Sequence, residues 1–202
     1  MQSVAETIRS LKPNVCREEA LQHFTGGVRG LASNLFRGRP RSMADLYIPY
    51  RLFHVKVRNR GREESWIYAL DAVESTLDLF EFPELPDEQK VVTLETRNAI
   101  PGRLTAEHML EPLMGKVRRL VFSRGFVRLR DLQLEATAVA GELYLPYWVC
   151  FRGSDAAAKL EILDAVRRRS EGGKVRGMVR DWLQSSPENG FEVGLDCSLG
   201  NG

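Results

Sequence analysis

The sequence predicts an α+β protein of two similar halves, each a helix packed on a small antiparallel sheet. Three observations lead there. Leu46-Tyr47-Ile48-Pro49-Tyr50, followed by Leu70-Asp71-Ala72-Val73, returns as Leu143-Tyr144-Leu145-Pro146-Tyr147, followed by Leu163-Asp164-Ala165-Val166. An apolar stripe at helical spacing precedes each copy, and each copy opens an alternating, hairpin-like stretch. The 202 residues are enough for two units of about 100 residues each.

The helices come first in each half. Leu21, Phe24, Val28, Leu31 and Leu35 follow three-four spacing, as do Leu110, Leu113, Met114, Val117, Leu120 and Val121. Asn14 and Thr105 stand where caps are expected. Gly26, Gly27 and Gly30 weaken the first helix, and Pro112 kinks the second or marks its first turn. Tyr47 to Val57 and Trp66 to Val73 then read as strands around a charged loop, Arg58 to Glu64. In the second half the strands are Leu143 to Phe151 and Lys159 to Val166, with an extra alternating run at Val127 to Val139. These signals place a first repeat at 1–80, a proline-bearing acidic linker at 81–98, a second repeat at 99–184 and a flexible tail at 185–202. Residues 174–183 fit helical spacing, although Gly172, Gly173 and Gly177 leave a strand open.

Composition narrows the class of function. Hydrophobic residues are 43% of the chain and charged residues 28%, the mixture of a globular protein, and no apolar run nears the roughly 20 residues of a spanning helix. Met1 to Asn14 lacks a basic start and an apolar stretch, so export is not expected. Cys16, Cys150 and Cys197 form no Cys-x-x-Cys pair and read as reduced thiols of a cytoplasmic protein. The net charge of +2 is too small to imply an acidic partner.

The repeated motif supplies the first candidate site. On a regular strand Tyr47 and Tyr50 face opposite sides, as do Tyr144 and Tyr147. These four tyrosines and Trp148 are the candidate ligand- or partner-binding residues, with packing and hydroxyl bonding as the structural alternative. Asp71 and Asp164 are the only catalytic candidates: if a two-fold axis paired them, like charge would raise one pKa and create an acid/base couple. Their plainer role is to accept backbone N–H bonds at a strand end.

Basic residues supply the second. Arginine accounts for 23 of the 29 basic residues, and Arg103 to Arg130 holds seven basic residues against Glu107 and Glu111. Lys116, Arg118, Arg119, Arg124, Arg128 and Arg130, joined by Arg167, Arg168 and Arg169, are the candidate nucleic-acid surface, with a solvated helix face as the alternative. His23, His54 and His108 form no zinc motif, Glu19 and His23 are one helical turn apart, and Gly172-Gly173-Lys174 lacks the rest of a phosphate loop. No metal and no cofactor is expected.

With its helices, the Tyr-x-Pro-Tyr … Asp-Ala repeat resembles duplicated PepSY-like or cystatin-like modules, and it is similar to a pattern in poorly characterised prokaryotic proteins. Where those continue with a Thr-Gly turn, this chain has Val73-Glu74-Ser75 and Val166-Arg167-Arg168. The resemblance implies binding or regulation. The leading expectation is therefore a non-enzymatic interaction or regulatory module for a protein or small ligand, with homodimerisation open and no membrane partner. A nucleic-acid-binding accessory protein is second, and a hydrolase with paired aspartates third.

Overall fold

The longest element is β2 (Pro40–Asn59), whose near-continuous apolar run from Leu46 to Val57 has strand neighbours along both edges and helices over both faces. The computed structural model describes residues 5–26, 40–59, 62–123, 132–153 and 159–185. Along one edge, β2 pairs antiparallel first with β7 (Leu143–Arg152) and then with β6 (Gln133–Ala138); along the other it pairs with β3 (Arg62–Asp71). β3 continues to β4 (Phe80–Phe82). On its far edge β7 carries β8 (Lys159–Asp164), followed by β9 (Arg169–Ser170), and meets β1 (Glu6–Leu11) through one parallel pair, Ser10 with Tyr144. β5 (Val91–Thr96) closes that side against β1. The described residues thus hold a nine-stranded mixed sheet.

Among the described residues three helices cover it. Odd-numbered residues of β2 (Phe53, Val55, Val57) pack with Met109, Leu113, Val117 and Val121 of α2 (Ala106–Ser123), and Met43 packs near Phe24 of α1 (Arg17–Thr25). Leu46, Ile48, Tyr50 and Leu52 face the other way, in one cluster with Val175, Met178, Val179 and Trp182 of α3 (Gly173–Ser185). The 174–183 segment is therefore helix. Cys16 takes the cap position of α1, and its N–H donates to Glu19 three residues on. Leu110 falls outside the buried stripe of α2, which runs 109, 113, 117 and 121, and Pro112 lies inside that helix.

The two motif copies pair with each other. Ile48 stands opposite Leu145, and outward from that pair the register is reciprocal: Tyr47 with Pro146 and Pro49 with Tyr144, then Leu46 with Tyr147 and Tyr50 with Leu143. A local two-fold therefore passes through Ile48 and Leu145. Equivalent details recur on both sides. Ala72 N–H donates to Pro49 O as Ala165 N–H donates to Pro146 O, and Ser75 and Arg168 both take φ of 57°. Arg51 Nε donates to Leu104 O just before α2, as Trp148 Nε1 donates to Val15 O just before α1.

Two expectations are corrected. The halves are not separate helix-on-small-sheet units of the cystatin-like or PepSY-like kind, because a single mixed sheet carries the strands of both. Each helix also packs on the hairpin of the other copy. Asn14 and Val15 donate to Ala165 O while Arg103 and Leu104 donate to Ala72 O, which lays α1 on β7–β8 and α2 on β2–β3. Apolar spacing records which face of a helix is buried; it carries no record of which hairpin buries it. Part of the expected 81–98 linker is sheet, since β5 lies within it. The expected continuation of the first helix to Leu35, the tail beyond Ser185 and Cys197 lie outside the described residues.

Crossing of the helices predicts which side chains couple. Phe24→Ala and Leu163→Ala, in one buried cluster, are expected to show a coupling energy of about 0.5–3 kcal/mol in a double-mutant cycle. Phe24→Ala with Tyr68→Ala, in separate clusters, is expected to be additive within about 0.5 kcal/mol. Chemical denaturation of the three single and two double variants checks this.

Candidate functional site

Both motif aspartates are fully buried, and both spend their oxygens on the chain that follows. Asp71 Oδ1 accepts the N–H groups of Glu74 and Ser75 at 2.9 Å each, and Oδ2 accepts that of Leu77 at 2.8 Å. Asp164 Oδ1 accepts from Val166 and Arg167 at 2.8 and 2.7 Å, and Oδ2 takes Arg167 Nε at 2.5 Å. They lie on β3 and β8, with β2 and β7 between them, so the two-fold sets them three strands apart rather than side by side. Each is built as the anchor of a tight loop.

The axis brings two other groups together. Tyr50 and Tyr147 each stand two residues beyond the central pair on the α3 face, about 13 Å apart along the ladder, and their long side chains reach back so that the hydroxyls meet at 3.0 Å. They are 0% and 1% exposed. Burial, reinforced by the partner hydroxyl and by Asp71, pushes Tyr50 well above the ordinary tyrosine pKa; burial and Asp164 push Tyr147 up as well. Tyr47 and Tyr144 point to the opposite face, where burial raises Tyr47 with help from Asp45 and lifts Tyr144 to about 12. Trp148, held through its indole N–H by Val15 O, packs near α1. Of the five candidate aromatics, Tyr50 lines a cavity.

That cavity, of about 260 Å³, draws its walls from both halves: Tyr50, Leu77 and Asp78 from the first, and Arg167, Arg169 and Glu171 through Val175 from the second. Arg167 ties it together. Its guanidinium binds Asp164, approaches Glu171 at 3.5 Å and lies 4.6 Å from the centre of the Phe80 ring. Burial, the largest single influence, opposes that charge, but Asp164 together with Tyr147 and Tyr50 raises the arginine pKa on balance. Arg169 meets Glu171 at 3.2 Å, and Lys174 meets Asp78 at 3.2 Å, which lowers the Asp78 pKa. A wider groove of about 500 Å³ shares Asp78 and Lys174 and runs along Tyr68, Lys116, Arg119 and Leu120.

The basic candidates are divided. Lys116 Nζ is committed to the carbonyls of Thr76 and Leu77, where burial lowers its pKa, while Arg119 lines the wider groove and Arg118 is exposed on α2. Arg168 reaches Asn14 O and lies 3.8 Å from Glu19. Arg124, Arg128 and Arg130 lie outside the described residues. His23 Nε2 meets Ser170 Oγ, away from Glu19, whose carboxylate accepts from Cys16. Among the described residues no three His, Cys, Asp or Glu side chains are grouped to hold a metal, and no helix is long and apolar enough to cross a membrane. Sequence reasoning passed over the start of α3 as a site because Gly172-Gly173-Lys174 was measured against a phosphate-loop pattern; the usable signal was a glycine pair opening an amphipathic helix just after a charged turn.

The loop-anchor role predicts that Asp71→Asn and Asp164→Asn each lose stability, by about 1–3 kcal/mol, because an amide cannot accept every bond the carboxylate does. Urea unfolding measures it, and unchanged midpoints would oppose the assignment. For the tyrosine pair, raised folded pKa values mean that the unfolded chain ionises first, near pH 10. The unfolded state then binds fewer protons, so stability is full below about pH 10 and falls above it, by up to about 1.4 kcal/mol per pH unit for each tyrosine. Tyr50→Phe/Tyr147→Phe is expected to flatten that alkaline decline in thermal melts.

Comparison with protein-family models, with curated proteins and with solved structures finds no match for this chain, so the functional reading rests on the geometry of this cavity.

Proposed function

We propose that the protein is a non-enzymatic binding module that takes a small ligand into the cavity between its two motif copies. The observation that carries this reading is the composition of the cavity wall: Tyr50 and Asp78 come from one copy's hairpin and its following loop, Arg167 and the start of α3 from the other. A ligand seated there touches both halves at once and biases how they pack. The motif aspartates support a binding role over a hydrolytic one, since their oxygens are engaged by loop N–H groups and Arg167. Polar groups on a part-apolar wall with Leu77 and Val175 are the usual make-up of a small-ligand site.

Native mass spectrometry of the protein as purified, paired with hydrogen exchange before and after addition of a small-molecule cell extract, tests this. A discrete small-mass adduct with new protection at 71–78 and 167–175 is the expected result. No adduct and no change in protection at either segment overturns the reading. Copurified nucleic acid that leaves as salt rises would instead favour the rim of Lys116, Arg119 and Lys174.

A further inference from the structure

The two sides of α2 differ in chemistry. Its buried stripe runs 109, 113, 117 and 121, while Gly115, Arg118, Arg119 and Phe122, at i, i+3, i+4 and i+7, form an exposed stripe. Phe122, at 58%, is the most exposed of the large apolar side chains that the described residues leave open. Arg118 and Arg119 stand one turn before it and make no hydrogen bond or ion pair among the described residues. Nothing lies within 4 Å of a Cβ built on Gly115, so packing does not call for a glycine there, although glycine weakens a helix interior. From Pro112 to Ser123 the helix carries Lys116, Arg118 and Arg119 and no acidic residue; Glu107 and Glu111 stand in the turns before.

Arg119 also lines the wider groove, together with Lys116 and with Lys174 of α3. Of the two carboxylates there, Asp78 is taken by Lys174, and Glu81 is the other. Lys116 donates to carbonyls, which leave its charge uncancelled; burial lowers its pKa and the charge of Lys174 adds to the effect. Cations therefore outnumber carboxylates on the groove, and Arg118 adds another on the exposed stripe. Two uncompensated arginines beside an open aromatic ring fit a partner that carries both spaced negative charge and flat rings. A polyanion without rings would leave Phe122 idle, and a duplex keeps its base faces inside the stack. A single strand offers both, because every base has a face to stack and every linkage a phosphate. We propose that the C-terminal half of α2 docks single-stranded nucleic acid, with a base stacked on Phe122, phosphates held by Arg118 and Arg119, and the strand leading on along the groove past Lys116 and Lys174. The groove shares only Asp78 and Lys174 with the cavity between the motif copies, so this docking rests on different residues from the small-ligand reading and stands or falls separately.

Fluorescence anisotropy of the full chain with end-labelled oligouridylate and oligothymidylate of about 12 nucleotides, and with a duplex of equal length, tests the proposal. Saturable binding of the single strands, tighter than that of the duplex at the same salt, is expected. Their affinity is expected to fall about tenfold between about 50 and 200 mM sodium chloride, as about two to three neutralised phosphates require. Arg118→Ala/Arg119→Ala is expected to weaken binding and to reduce the salt slope by about one. Phe122→Ala is expected to weaken it about tenfold with the slope unchanged, and Phe122→Trp to retain it. All three side chains are exposed, so thermal melts of the variants are expected to match the parent, which separates lost binding from lost fold. No saturable binding of either oligomer overturns the proposal, as does a duplex bound as tightly as the single strands, or Phe122→Ala at parental affinity. Polyglutamate that competes as well as the oligonucleotide also overturns it, in favour of an acidic protein partner.

Discussion

Everything else in the molecule is placed by the antiparallel pairing of the two Tyr-x-Pro-Tyr strands about Ile48 and Leu145. Each strand offers the other an apolar, hydrogen-bonding edge, and neither could be left exposed without presenting a long sticky edge to solvent. Once they pair, residues two positions out fall on one face and residues one position out on the other. The tyrosine hydroxyls then meet over α3, and the prolines sit opposite Tyr47 and Tyr144, where their ring nitrogens need donate nothing. The strand ends place Asp71 and Asp164 to fasten the loops that lead out of the sheet.

The asymmetry that makes a site enters at those loops. Asp71 is satisfied by backbone N–H groups of residues 74, 75 and 77, whereas Asp164 recruits the Arg167 side chain. That guanidinium lies on the α3 side of the sheet, over Phe80 of the other copy, and the short β9 then delivers Gly172 and Gly173 to the start of α3. One side of an otherwise balanced pair of hairpins thereby acquires a network of paired charges, Arg167 with Asp164 and Glu171 and Lys174 with Asp78, on the cavity wall beside Tyr50. A glutamate, Glu74, stands three residues after Asp71, where Arg167 stands after Asp164, and it gives the first half no such feature.

Much of the secondary structure was legible in the residues: β2, β3, β7, β8 and α2 follow from alternation and helical spacing, and Val127 to Val139 contained β6. Which helix covers which hairpin was not legible, because Phe24 and Leu113 advertise burial without naming a partner. Tyr50 and Tyr147 were visible as a motif, yet their meeting depends on register, which one shifted residue would have abolished. Arg167 was visible only as one of three consecutive arginines. Its neighbours Arg168 and Arg169 turn to Asn14 and Glu171, and nothing in a run of identical side chains distinguishes their directions.

The exchange of helices between hairpins sets an order of assembly. Asn14 and Val15 wait for Ala165, about 150 positions later in the chain, before their N–H groups find an acceptor, and Ser10 waits for Tyr144. During synthesis the first hairpin and α2 can settle on each other and β1 can pair with β5, but the contacts of α1 with β7 and β8 wait until those strands emerge. Contacts of such long sequence separation are closed slowly. Until β1 meets Tyr144 and α1 meets β7 and β8, β7 stands with part of its edge uncovered.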